Sequence, residues 1–285
     1  MRCDMKEAYF YKSIAESVIC ILCPHKCLIK INETGICAVR KNIDGKLYSM
    51  NYGRLSSINL DPIEKKPLMR FLQNTITLSI GSYGCNLSCL FCQNYCVAKR
   101  TPLIVYRTPE DIVNLAIEYD IPSISFTYNE PIVSYEFVLD TAILAKEKGI
   151  KCVLVTNGYV EASPLIHLLQ YIDAMNIDLK TFSQDKYREI CNGEVEPVKR
   201  TIRIANKFSH IEVTTLLVTG MNDKEAELLE LFKWLAKVDR NIPLHVTRYF
   251  PCYKYEKPAT GIAFARKVKR MAESVLSHVY LGNVR

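Results

Sequence analysis

An α/β fold is what this sequence predicts: parallel strands beneath a layer of helices, with a small cysteine-rich module ahead of them. Three observations carry that expectation. From residue 75 onward, strand-like and helix-like patterns alternate without a break, and β-then-α alternation implies parallel strands with helices outside. Twelve cysteines are present, seven of them in two tight groups, one before the alternating part and one at its first strand end. The chain has 285 residues and 49% hydrophobic content, enough for one barrel-sized domain with an appendage, or for two domains.

Taken in order, residues 1–19 read as a short amphipathic helix. CILCPHKCLIKINETGIC follows, placing Cys20, Cys23, Cys27 and Cys37 at C-x2-C-x3-C-x9-C. A C-x2-C knuckle followed by further cysteines is how small metal sites are built. Structural zinc and an iron–sulfur cluster both match this donor set. His25 lies between two of the cysteines and could replace one, or simply belong to the loop. Residues 44–58 read as short strand pieces around Asp44-Gly45 and Tyr52-Gly53, a hairpin signal. In DPIEKKPL, residues 61–68, Pro62 and Pro67 favour an extended or turned connector over a helix. The expected division is a metal-binding module and linker over 1–73, and the alternating domain over 74–285.

Strand candidates in that second part are 75–81, 122–128, 151–156, 172–178, 211–218 and 242–249. Helical patterns fall at about 108–120, 133–149, 163–171, 183–208 (interrupted at Asn192-Gly193), 223–238 and 259–277. In parallel α/β barrels, chemistry sits at the C-terminal strand ends, where the loops converge. Those ends should then carry unusual polar residues, and they do. The first runs into GSYGCNLSCLFCQN, with Cys85, Cys89 and Cys92 at C-x3-C-x2-C. An ordinary [4Fe–4S] cluster takes four cysteines, so three clustered ligands leave one iron open to something other than protein. The same spacing is compatible with buried structural cysteines or half of a zinc site. The second strand ends in FTYNEP, with Asn129 and Glu130, and the third in VTNGY, with Asn157. The fourth ends in MNIDLK, where Asn176, Asp178 and Lys180 alternate onto one side. The sixth ends in HVTRYFP, where His245, Thr247 and Tyr249 share a face and Arg248 takes the other.

The C-x3-C-x2-C loop with Phe91 before its last cysteine resembles the signature of radical S-adenosylmethionine (radical SAM) enzymes. GCNLSCLFCQN is similar to the form in pyruvate formate-lyase activating-enzyme relatives. DPIEKKPL and CILCPHKC further resemble the radical SAM member of the AmmeMemoRadiSam system, over about residues 20–284. The resemblance implies a partial (β/α)6 radical SAM barrel with a small Cys-rich N-terminal module. It implies a [4Fe–4S] cluster on Cys85, Cys89 and Cys92, with S-adenosylmethionine (SAM) on the fourth iron. It also implies reductive cleavage of SAM to a 5′-deoxyadenosyl radical that abstracts hydrogen from a substrate.

Glu130 then suits the SAM amine, with Asn129 adding hydrogen bonds. Only the Glu-Pro part of FTYNEP matches the Gly-Gly-Glu-type motif of related enzymes, and a strand-to-helix turn capped by these residues is the plainer alternative. Asn157 could contact the nucleoside or a substrate backbone, or be a simple turn. Asp178 and Lys180 match an Asp-x-Lys that helps bind SAM in the activating-enzyme branch. His245 and Arg248 are candidates for the SAM or substrate side, a core histidine being the alternative for the former. Relatives carry a further C-x-x-C near the C-terminus that is not found here. The branch favours a protein or peptide substrate, as for a glycyl-radical activase, and an external one-electron reductant. Radical methylation or another peptide modification fits the core motif equally. A non-catalytic iron–sulfur or zinc protein is the reading from a different class.

Composition narrows the field further. A formal charge of +7 is mild and spread out, so nucleic acid is not an expected partner. No apolar run approaches a membrane span and no signal-peptide pattern opens the chain, so a cytoplasmic location is expected. There, twelve cysteines point to metal sites over disulfides, and an open cluster points to a low-oxygen host.

Overall fold

A computed structural model describes residues 5–100 and 102–284. The N-terminal part is built of short antiparallel strands: β1 (Lys6–Glu7), β2 (Tyr11–Ile14), β3 (Ser17–Cys20), β4 (Leu28–Ile29), β5 (Arg40–Ile43) and β6 (Lys46–Ser49), followed by β7 (Arg54–Leu55). They form two three-stranded sheets, β2-β3-β4 and β1-β6-β5, while β7 pairs with β10 (Val105–Tyr106). The helix expected over 1–19 is therefore corrected for its described residues; 1–4 lie outside them. Ser17–Cys20 alternates half-buried and buried residues, a period of two that commits a strand rather than a helix face. Ala15 at φ 51° supplies the reversal between β2 and β3. The Asp44-Gly45 hairpin forms as expected, both residues adopting positive φ (51° and 79°), the pattern of a tight two-residue turn.

The large sheet runs, in spatial order, β16-β15-β14-β13-β12-β11-β9-β8. Its strands are β8 (Ser57–Pro62), β9 (Ile76–Gly81), β11 (Ser123–Phe126), β12 (Lys151–Thr156), β13 (Ala174–Asp178), β14 (His210–Leu217), β15 (Leu244–Arg248) and β16 (Val279–Gly282). All six expected strands are present. Two more join them: β16 adds a parallel strand, and β8 an antiparallel one against β9. Between them lie α1 (Tyr95–Ala98), α2 (Pro109–Glu118), α3 (Tyr135–Glu147), α4 (Ala162–Leu169), α5 (Gln184–Cys191), α6 (Val195–Ala205), α7 (Glu225–Asp239) and α8 (Ile262–Glu273). Right-handed crossovers between parallel strands put such helices on one face of the sheet, and α3, α6 and α8 pack against β12, β14 and β15.

The two faces of the sheet differ in chemistry. Leu78, Ile80, Ile124, Phe126, Cys152, Leu154, Met175, Ile177, Ile211, Val213, Leu244 and Val246 point outward into the main core. Most of the alternate residues point inward and are small or polar, including Thr77, Ser125, Asn176, Glu212 and Thr214, with Val153, Val155 and Leu216 as apolar exceptions. The polar ones bond among themselves, as in Thr77 Oγ1 to Ser125 Oγ at 2.7 Å and Thr214 Oγ1 to Asn176 Oδ1 at 2.9 Å.

Residues 63–74 fill the lower part of this interior. Ile63 and Leu68 pack with Val153 and Ala174, and Asn176 Nδ2 donates to the Pro67 carbonyl at 2.8 Å. The backbone amides of Met69 and Arg70 donate to Glu212 at 3.0 and 2.7 Å. DPIEKKPL is thus a packed segment that enters the barrel, with Asp61 held by Lys66 (2.8 Å) and Tyr128 (2.7 Å). Among the described residues no helix is long and apolar enough to cross a membrane.

Candidate active site

A cavity of about 390 Å3 opens at the C-terminal strand ends. Cys85, Cys89 and Cys92 line it together with Asn129, Glu130, Asn157, Asp178 and Lys180. These residues come from four separate strand ends, which parallel strands deliver to one mouth. Lys65, Pro67, Thr214, Leu216, Thr247 and Asn283 are among the other wall residues.

The cysteine loop is held from several sides. Its backbone docks on α5, with Ser88 and Leu90 amides donating to the Cys191 and Ile190 carbonyls at 2.9 and 3.0 Å. The Cys89 thiol is pushed well up, first by a hydrogen bond with the Cys191 thiol and then by burial. Cys191, which has no ligand spacing in the sequence, is thereby the neighbour that sequence reasoning missed. Lys99 Nζ reaches Ser88 Oγ at 3.1 Å. From the far side, Cys252 Sγ donates to the Cys92 carbonyl at 3.5 Å and the Lys254 amide to that of Leu90 at 2.9 Å.

Asn129 is occupied with this loop: its Oδ1 accepts from the Ser82 amide at 2.9 Å and its Nδ2 donates to the Gly84 carbonyl at 3.1 Å. Glu130 is fully buried. Its Oε1 accepts from the Ile132 amide (3.0 Å) and Thr156 Oγ1 (2.7 Å), and its Oε2 from the Asn157 amide (2.8 Å). Burial pushes its carboxyl up to about 7, against the pull of those donors. The Asn157 side chain donates to Asn86 Oδ1 at 2.9 Å and lies 3.7 Å from Cys85 Sγ. Asp178 and Lys180 form a 2.8 Å ion pair at the cavity wall.

His245 lies elsewhere. It is buried inside the barrel, bonded to Glu212 Oε2 at 2.6 Å and stacked on Tyr280, and it does not line the cavity. Arg248 donates to the Thr260 and Asn283 carbonyls. The four N-terminal cysteines lie in a separate place, around a smaller void that His25, Arg40 and Asn86 also line.

The donor set fits an iron–sulfur cubane better than a lone ion. Among the described residues no three His, Cys, Asp or Glu side chains stand at single-ion spacing, whereas a cubane's thiolates each take a different iron. The cavity also falls in the size range of small-molecule sites.

A model of the radical SAM superfamily matches residues 79–235, more than half of the chain. The chain belongs to the radical SAM superfamily. An uncharacterized protein of Methanocaldococcus jannaschii is 43% identical to this radical SAM chain over 288 residues, covering 98% of it and 86% of that protein. The isethionate sulfite-lyase activating enzyme of Oleidesulfovibrio alaskensis is 24% identical, covering 57% of the chain and 56% of that enzyme. Streptococcus suis SuiB, in a crystal structure bound to precursor peptide SuiA, superposes with a TM-score of 0.57 at 16% identity, over 70% of this chain and 47% of SuiB. SuiB is also known bound to SAM. The radical SAM chain thus spans about half the length of these last two proteins, and SuiB shares the partial-barrel fold with it.

Proposed function

We propose that this radical SAM enzyme acts on a protein or peptide substrate, in the manner of a glycyl-radical activase, with Cys85, Cys89 and Cys92 as the ligands of its open [4Fe–4S] cluster. The observation that carries the site is the convergence of these three thiols, Glu130 and the Asp178–Lys180 pair on one cavity. Bound there, cluster and SAM would supply hydrogen-atom abstraction through reductive cleavage of SAM, chemistry that side chains cannot perform.

The chain's own groups bind and orient. A carboxylate offers about four acceptor positions, and Glu130 has three filled by Ile132, Thr156 and Asn157. The fourth, on Oε2, is free for the ammonium of SAM. An arriving cation offsets the burial that raises this carboxyl. Lys180 Nζ spends one donor on Asp178 and keeps others for the SAM carboxylate. The Asn157 amide, beside Cys85 Sγ, donates to that sulfur once it is a thiolate. Asn129 acts one step back by fixing the backbone at Ser82 and Gly84.

The macromolecular substrate rests on two supports. The sheet stops at the edge strands β16 and β8, and Asn283, just past β16, lines the cavity, so no further strand closes the mouth on that side. The similarity to an activating enzyme and the fold shared with a peptide-bound protein point the same way. The test is anaerobic: reconstitute with iron and sulfide, reduce with dithionite, add SAM and quantify 5′-deoxyadenosine. Product that disappears in Cys89→Ala is expected; equal product in both proteins, or no iron at the triplet, overturns the assignment.

A further inference from the structure

Cys20, Cys23, Cys27 and Cys37 line, with eight other residues, a void of about 20 Å3 on the flank of the cysteine loop, and all four are free of disulfides. We propose that they hold a second [4Fe–4S] cluster, ligated entirely by protein and abutting the first site. It goes beyond the proposed activity and rests on it only for the identity of its neighbour.

Side-chain spacing separates a cluster from zinc. In a four-cysteine zinc site all the sulfurs lie about 2.3 Å from one metal, whereas among the described residues no three Cys, His, Asp or Glu side chains meet single-ion geometry. A cubane asks for this wider arrangement, and a complete set of four cysteines is its usual ligation.

A buried cation faces the same void. Arg40 is 1% exposed and lines the void. It pairs with both oxygens of Glu136 at 2.7 and 2.8 Å and donates to the Tyr9 carbonyl at 3.1 Å. Its Nε–H has no partner. The charges of Cys20 and Cys37 act on Arg40, so its guanidinium would offset the negative charge that metal-bound thiolates bring into this buried place.

The two cysteine sites share a wall. Gly84, next to Cys85, has φ +87°, and a Cβ there would stand 2.7 Å from the Cys37 carbonyl. His25 Nε2 bonds the Asn86 carbonyl at 2.7 Å. Asn86 Oδ1 in turn accepts from Asn157, whose amide reaches Cys85 Sγ. One loop therefore presents the first set of ligands on one side and leans on the second set with the other.

The experiment uses the full chain, reconstituted anaerobically with iron and sulfide in the presence of zinc. Iron, sulfide and zinc are counted, and paramagnetic resonance spectra are taken after dithionite reduction. Wild type is expected to hold about eight irons, and a Cys85→Ala/Cys89→Ala/Cys92→Ala variant about four, with a spectrum indifferent to SAM. Broadening in wild type, from coupling of two neighbouring spins, reports the shared wall. Cys23→Ala/Cys37→Ala is expected to keep about four irons and a SAM-responsive spectrum, so failure of one site is distinguishable from failure of the other. One zinc per chain with iron only at the first site overturns the proposal. Wild type with about four irons, all lost in the triple variant, overturns it as well, whether or not zinc is present.

Discussion

The Asn157 backbone amide donates to Glu130 Oε2 across 2.8 Å, tying the ends of β11 and β12 together at the rim of the cavity. This bond leaves Glu130 anchored, aimed and one acceptor short of full. In Glu130→Gln the charge is lost and an amide N–H can face another N–H. SAM affinity should fall by about 10- to 100-fold, the worth of a charge-assisted hydrogen bond. Anaerobic titration calorimetry checks this, with circular dichroism to show that the fold persists.

The Arg40–Glu136 pair joins the N-terminal module to α3, both side chains essentially inaccessible to water. Removing one partner leaves the other charge buried and uncompensated. Arg40→Met is expected to destabilise by about 3–5 kcal/mol, and Arg40→Met/Glu136→Leu by much less. Urea unfolding of the two variants at neutral pH decides between this and a merely steric effect.

Glu212 predicts a pH dependence remote from the metal ligands. Burial raises its carboxyl, but donors from His210, His245 and the Met69 amide outweigh that and hold it at about 2, against an ordinary 4.5. A carboxyl lowered on folding contributes stability that is complete above its unfolded value and is lost as pH falls through its folded one. The wild type should therefore lose about 3 kcal/mol between roughly pH 5 and pH 2 from this group. Glu212→Gln should lack that part of the slope, as read from urea midpoints across the range.

Gly84 is required for its backbone and for its bareness. Its φ of +87° and the 2.7 Å approach to Cys37 O and Val39 Cγ1 leave no place for a methyl group. Gly84→Ala should shift the cysteine loop and at least halve the iron retained after reconstitution, measured by colorimetric iron and sulfide assays. Gly149, where nothing lies within 4 Å of an added Cβ, is the control: although its φ is also positive, Gly149→Ala should leave iron content unchanged.

The alternation from residue 75 onward was legible because most barrel strands alternate an apolar residue for the helix side with a small or polar one for the interior. The first stretch was not legible as strands. Residues 6–20 form two-to-four-residue strands, too short for either periodicity to assert itself, and pairing across the chain decides them. Glu212 and His245 show the complementary failure. A histidine near a strand end reads as a site residue, yet its partner Glu212 lies 33 positions away in the chain, and only that pairing turns it into part of the barrel's packing.

By itself the sequence determined the order of the six central strands and the helices between them, the two cysteine groups and the polar strand ends, because hydrophobic period and ligand spacing are local properties of a chain. Tertiary structure alone decided that residues 63–74 enter the barrel, that Cys191 meets Cys89, and that Cys37 lies against Gly84. Those relationships join segments tens of residues apart, and they exist because the parallel sheet curves and brings its strand ends, and whatever packs on them, to one place.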